Sequence, residues 1–216
     1  SNSSVEVVSE SINYHWKHFV SMQRRVDIST SNIIDIFVLT SEYDFLTRQW
    51  IVEGAILEDM PSPPSELDLK IQFKNYESAK ISTDEIVWRP VKYKFLFGES
   101  IEDQTLRARF KVVKLQNTSL SDGEIKSRII RAMNKFFDVK WWEFGQTFYF
   151  TELSAFVHQQ LSGEIASFVI VPLTEDSSFG DGFEVKSAPN EIFISTAQVS
   201  DIEIIESNTS INLRMR

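Results

Sequence analysis

His15 and His18 stand three residues apart, a spacing at which two imidazoles can share one metal ion. A structural metal site needs about four ligands, and neither a cysteine nor the third histidine lies near them in sequence. The pair reads as surface histidines beside Trp16. His158 falls off the apolar face of the helix expected around it, on the side of Ser154, and reads as solvated. Neighbouring carboxylates occur at Glu58/Asp59, Glu102/Asp103 and Glu175/Asp176. Acid–base work needs two carboxylates that face each other across a cleft with separated pKa values, so these read as charges of polar loops. No G-x-S-x-G turn presents a serine nucleophile, and the absence of cysteine removes thiolate chemistry. The FGDG stretch at 179–182 matches neither a phosphate-cradling loop nor the dinucleotide fingerprint, and its acidic spacing misses the calcium-binding loop. It reads as a loop tip. No catalytic residue, no cofactor-binding residue and no metal ligand is assigned, and the chain is read as a non-enzyme without a cofactor.

The most unusual stretch is FFDVKWWEFGQTFYFTEL at 136–153, with eight aromatic residues between and within two expected helices. One reading makes it core, consistent with the 17 phenylalanines of the chain. The other makes it a protein-binding patch, because Trp and Tyr dominate interface anchors. Trp141, Trp142, Phe144, Phe148 and Tyr149 are the candidate residues, as interface or as support for one. A stacking platform for single-stranded nucleic acid would need a basic groove beside the rings, which the local charge does not offer.

The elements that must position these residues are legible in part. Ile33 to Leu39, IIDIFVL, is a continuous apolar run expected to be a strand buried on both faces. Tyr43, Leu46 and Trp50 recur at helical spacing after Ser41, with Gly54 as the stop. Beyond PSPPS, Ser65 can cap a helix whose apolar face is Leu69, Phe73 and Tyr76. The segments 90–97 and 106–115 read as two half-exposed strands joined by a polar loop. Ser121 and Glu124 form a capping box, followed by Ile125, Ile129, Ala132, Met133, Phe136 and Phe137 on one helical face. A second helix is expected after Thr151, with Leu153, Phe156, Val157 and Leu161 inward and Gly163 as its stop. Strand candidates follow at 164–172, 182–187, 190–195 and 199–206, forming a small antiparallel sheet with a turn at Ala188 to Asn190.

With 216 residues, 42% apolar and 25% charged, the chain can bury a sizeable core. The expected class is α+β: a mixed α/β subdomain over 1–117, then a helix–helix–antiparallel-sheet subdomain over 118–216, with the polar joint at 116–121 between them. A net charge of −9 disfavours duplex nucleic acid as a partner. No apolar run reaches the roughly 20 residues of a membrane helix, so no membrane partner is expected. The opening SNSSVEVVSE lacks an initiating methionine, and the chain is expected to be part of a longer polypeptide.

The stretch LSDGEIKSRIIRAMNKFFDVKWWEFGQTFYFTELSAFVHQQL, followed by IASFVIVPL and APNEIFIS, resembles the C-terminal part of the baseplate wedge proteins of T4-like phages, in the baseplate J-like family of contractile injection machines. WRPVKYKFLFG and RARFKVVKL join that resemblance, which extends over most of the chain from about Ile28. The resemblance implies a structural virion protein of the tail baseplate, assembled in the host cytoplasm. It implies self-association, in which C-terminal parts pair and subunits join other baseplate wedge proteins in a ring around the central hub, and rearrangement on tail contraction. It implies no active site. The alternative from another class is a phage-tail glycan-binding module or glycan-degrading enzyme, the latter needing facing carboxylates in a cleft.

Overall fold

A short apolar run between charged flanks, DEIVWRP at 84–90, forms a strand that sequence reading did not assign, and it organises the first half of the protein. In a computed structural model that describes residues 14–15, 32–79, 84–99, 101, 103–173 and 184–206, the chain is α+β and divides into two compact units. One comprises 1–52 and 60–92; the other comprises 53–59 and 93–216.

In the first unit, β1 (Tyr14–His15) runs antiparallel to β2 (Asn32–Val38), and β2 runs parallel to β3 (Asp84–Pro90), giving the order β1-β2-β3. A parallel pair requires a crossover. Here the crossover holds α1 (Ser41–Val52) and α2 (Glu66–Gln72), and α2 packs on β3. Ser65 caps α2 as expected, in a reciprocal box with Asp68. Leu69 and Phe73 turn inward to meet Val38 and Trp88, and Phe73 stacks on Trp88 at 5.1 Å. Tyr76, expected on the same face, is exposed, as is Leu46 of α1. The expectation that β2 is buried on both faces is corrected. Val38 is buried while Ile33 is 53% exposed. The cause is Asp35, whose carboxylate accepts from Arg89 Nε at 3.0 Å and keeps that face of the sheet polar.

In the second unit, β5 (Ala108–Lys114) is the centre of a three-stranded sheet, between β10 (Ile202–Ile205), parallel to it, and β7 (Ile165–Pro172), antiparallel. β4 (Lys92–Leu96), which starts at the division between units, pairs with β9 (Glu191–Ser195). β6 (Phe148–Tyr149) pairs antiparallel with β8 (Glu184–Val185). α3 (Asp122–Phe136) packs on α4 (Phe150–Gln160), and α4 packs on β7, where the Ser154 hydroxyl donates to the Phe168 carbonyl at 3.0 Å. Both helices bury the expected faces, except that Phe136 of α3 and Phe156 of α4 are only half-buried.

Two further expectations are corrected, on the division and on the late strands. The division falls between Lys92 and Tyr93, not at 116–121, because β5 makes its ladders with strands from beyond that joint. The segments 90–97 and 106–115 are strands, but between them they share only one isolated parallel bridge, Phe97 with Arg107; each finds its ladder elsewhere. The four late strands do not form one antiparallel sheet but are distributed over three.

The core of this unit is aromatic. Phe97, Phe110, Phe137, Phe148 and Phe193 are all fully buried. Phe97 lies edge-on to Phe110 at 5.2 Å, to Phe148 at 6.0 Å and to Phe150 at 6.0 Å, the arrangement that ring quadrupoles favour. Phe97 itself has φ of +79°, a strained backbone for a non-glycine residue. Next to it, Gly98 donates its N–H to Thr196 Oγ1 at 3.1 Å, so close that a Cβ on Gly98 would lie 2.4 Å from that oxygen.

Candidate interface

The segment that carries the candidate aromatic residues starts from α3. Ser121 Oγ accepts from the Glu124 N–H, and Glu124 accepts in return from the Ser121 N–H at 2.8 Å. This reciprocal box fixes where the helix begins. It holds the Glu124 carboxyl below its ordinary pKa, chiefly through the Ser121 backbone bond. At the other end, Phe137 docks into the core and the chain enters the loop 138–147.

That loop is braced at successive points. Asp138 accepts from the Lys140 N–H through Oδ1 at 3.0 Å and from the Trp141 N–H through its carbonyl at 2.9 Å. Trp142 Nε1 donates to the Phe136 carbonyl at 2.7 Å. Glu143 N–H donates to Gln146 Oε1 at 3.0 Å, and the Ser187 hydroxyl donates to the Gln146 carbonyl at 2.7 Å. Gly145 has φ of +73° and donates to the Glu191 carbonyl at 3.0 Å; a Cβ there would come within 3.1 Å of Pro189 Cα. The expected turn at 188–190 thus serves as the wall on which this loop rests.

The five candidate residues separate into three groups. Trp142 and Phe148 are core: the Trp142 ring stacks on Phe137 at 5.6 Å and lies edge-on to Phe193 at 5.5 Å. As buried groups they can support a surface but present none of it. Phe144 is half-buried. Trp141, 73% exposed, and Tyr149, 39% exposed, are the two that face solvent. Period-two alternation along β6 turns Phe148 inward and Tyr149 outward.

The other chemistry-bearing residues do not converge. His158 is exposed at the end of α4, and Glu58 and Asp59 are exposed in a short 3-10 turn. Asp103 accepts from Thr105 N–H at 3.0 Å as the cap of another such turn. The His15 backbone lies in β1. His18, Glu102, the Glu175/Asp176 pair and FGDG 179–182 lie outside the described residues. Among the described residues, no three histidine or acidic side chains group as a metal site. None of the described helices is long and apolar enough to cross a membrane.

Two buried charges were missed by sequence reading. Lys111 on β5 is 6% exposed and pairs with Glu203 at 3.3 Å. Asp201 is 4% exposed; burial pushes its carboxyl up, opposed by the Gln198 N–H that it accepts at 2.7 Å. The alternation of Arg107, Arg109 and Lys111 with Ala108, Phe110 and Val112 was a signal for one basic strand face, but nothing local gives its depth.

No protein-family model matches the chain, and no curated protein matches its sequence.

Proposed function

We propose that this chain is a structural assembly component, a baseplate wedge subunit of a contractile phage tail that self-associates within the ring around the hub. The observation that carries the reading is Trp141, a large apolar side chain held out in solvent on a loop braced by backbone and side-chain hydrogen bonds. Exposed tryptophan on a pre-ordered support is the composition of an interface anchor, because little conformational entropy is lost when a partner covers it. The sequence resemblance supplies the identity of the assembly. A wedge subunit with one two-fold contact closes a pair there, and a second contact with a neighbouring subunit extends the ring. Pivoting at one contact while holding the other lets the ring change diameter.

Sedimentation velocity over a wide concentration range tests this. The expected result is a reversible dimer of the 25.0 kDa chain, weakened about tenfold or more by Trp141→Ala, as for a central interface anchor. A dimer insensitive to both Trp141→Ala and Tyr149→Ala would remove this surface from the proposal. A monomer that binds a glycan through Trp141 would replace the assembly reading with the carbohydrate-binding one.

A further inference from the structure

Around the buried Trp142, the loop 138–147 carries three exposed side chains close together in sequence: Lys140, Trp141 and Glu143. Two turns hold them. The first closes with the Trp141 N–H on the Asp138 carbonyl at 2.9 Å, and the second, starting at Glu143, closes with the Gln146 N–H on the Glu143 carbonyl at 3.3 Å. The backbone N–H of Lys140 is fixed by Asp138 Oδ1 and that of Glu143 by Gln146 Oε1, each at 3.0 Å. Their charges are not engaged. Neither the Lys140 ammonium nor the Glu143 carboxylate makes an ion pair or hydrogen bond among the described residues. Asp138, the third charge of the loop, is half-buried and already caps the first turn.

The exposed end of the loop therefore offers one cation, one anion and one indole on a pre-ordered backbone. Locally it is neutral, although the chain carries −9. A partner surface of one strong sign would match one of these charges and repel the other. The surface that matches both carries the same two charges in reverse order. A second copy of the loop, turned by a two-fold rotation, presents that order, because an isologous contact sets residue i on j and j on i. Residues 140 and 143 are equidistant in sequence from the midpoint of the two tryptophans. A two-fold axis passing there carries Lys140 of one copy to Glu143 of the partner subunit, and the reverse.

We infer that this loop docks on itself in a second copy, with two reciprocal Lys140–Glu143 ion pairs flanking the Trp141 rings and setting the register of the contact. The inference rests on the assembly reading and adds to it the residues that select the partner. Charges around an apolar anchor contribute specificity more than affinity. Pairs in contact at about 4 Å lie well inside the roughly 8 Å screening length of physiological salt, so they persist while the repulsion between the two net charges is damped.

The test is sedimentation velocity of the whole chain and its charge-reversed variants at one ionic strength. Lys140→Glu and Glu143→Lys are each expected to raise the dimer dissociation constant about tenfold, because each reversal sets like charges together twice. The variant carrying both reversals is expected to return to within about threefold of the parent. Glu143→Lys is the sharper of the single changes. It replaces one negative charge by one positive, moving the net charge from −9 to −7, so general repulsion alone would strengthen the dimer. Lys70→Glu, an exposed reversal on α2, controls for net charge and is expected to shift the constant by less than about threefold. Thermal midpoints verify that each variant is folded. A dimer that Trp141→Ala weakens but the single reversals do not, or that the double reversal fails to restore, overturns the pairing and leaves the assembly reading standing. A chain that stays monomeric at every concentration overturns both.

Discussion

Trp141 and Trp142 are chemically identical neighbours with opposite roles, and the difference lies in the ring contacts with Phe137 and Phe193 and the hydrogen bond that Trp142 makes. The Trp142 indole N–H reaches the Phe136 carbonyl, so its ring is drawn into the core while Trp141 is left outside. Trp142→Phe keeps most of the apolar area but orphans that carbonyl, and is expected to cost about 1–3 kcal/mol in urea unfolding. Trp141→Ala is expected to stay within about 0.5 kcal/mol of the parent, as exposed positions do. Gly98 has no such tolerance. Gly98→Ala would place a Cβ 2.6 Å from the Thr196 carbonyl oxygen as well as against its hydroxyl, and a loss of about 1–3 kcal/mol or more is expected from this overpacking. Asp201 offers a pH signature. Its folded pKa is raised by burial, so its contribution to stability is fullest below the ordinary carboxylate value of about 3.9 and is lost as pH rises through the raised value. Asp201→Asn, which can still accept the Gln198 N–H, should therefore gain stability relative to the parent as pH rises from about 4 toward neutral. A flat difference across that range would contradict it. None of these side-chain depths was legible beforehand, since adjacent loop residues and a strand-end carboxylate carry no periodicity that tells inside from outside.

At the scale of elements, what could be read was what is local. Ser121 with Glu124 and Ser65 with its following turn announce helices because the cap and the groups it satisfies lie within four residues. Glu124 is held low by Ser121, so its contribution is present above the ordinary glutamate value of about 4.3 and is lost as pH falls through the lowered one. Glu124→Gln is accordingly expected to lower the thermal midpoint at neutral pH, with the gap to the parent closing in acid. Ser121→Ala should cost about 1 kcal/mol at neutral pH, measured by the same melts. What could not be read was pairing. β3 was hidden because its apolar Ile86, Val87 and Trp88 are flanked by Asp84, Glu85, Arg89 and Pro90, which mimic a loop. β4 and β5 were legible as strands joined by a polar loop, but not their partners: the turn capped by Asp103 brings the chain back alongside Phe97 for one bridge only. The candidate interface was half legible: aromatic density marked the segment, and the Gly145 turn against Pro189, which holds Trp141 in place, could be seen only once the loop and the late turn were brought together.

Over the whole molecule, charge sets how any self-association should respond to salt. Two copies at −9 each repel, while burial of Trp141 is apolar. Raising ionic strength from about 0.01 M to about 0.15 M shortens the screening length from roughly 30 Å to roughly 8 Å. Sedimentation is expected to show dimerisation strengthening across that range; weakening would point to ion pairs at the contact instead. Chain order has a further effect. β5 ends at Lys114, but its two partners begin only at Ile165 and Ile202. During synthesis, then, the nascent chain carries its central strand with both edges bare until β7 emerges, and with one edge bare until β10 follows. An open edge templates pairing between chains. Arg109, Lys111 and Lys114, spaced along that strand, act as gatekeepers that discourage such pairing while it waits. A chain cut before Ile202 would keep one edge open for its whole lifetime, and solubility would then rest on three cations that the finished protein largely engages in other ways.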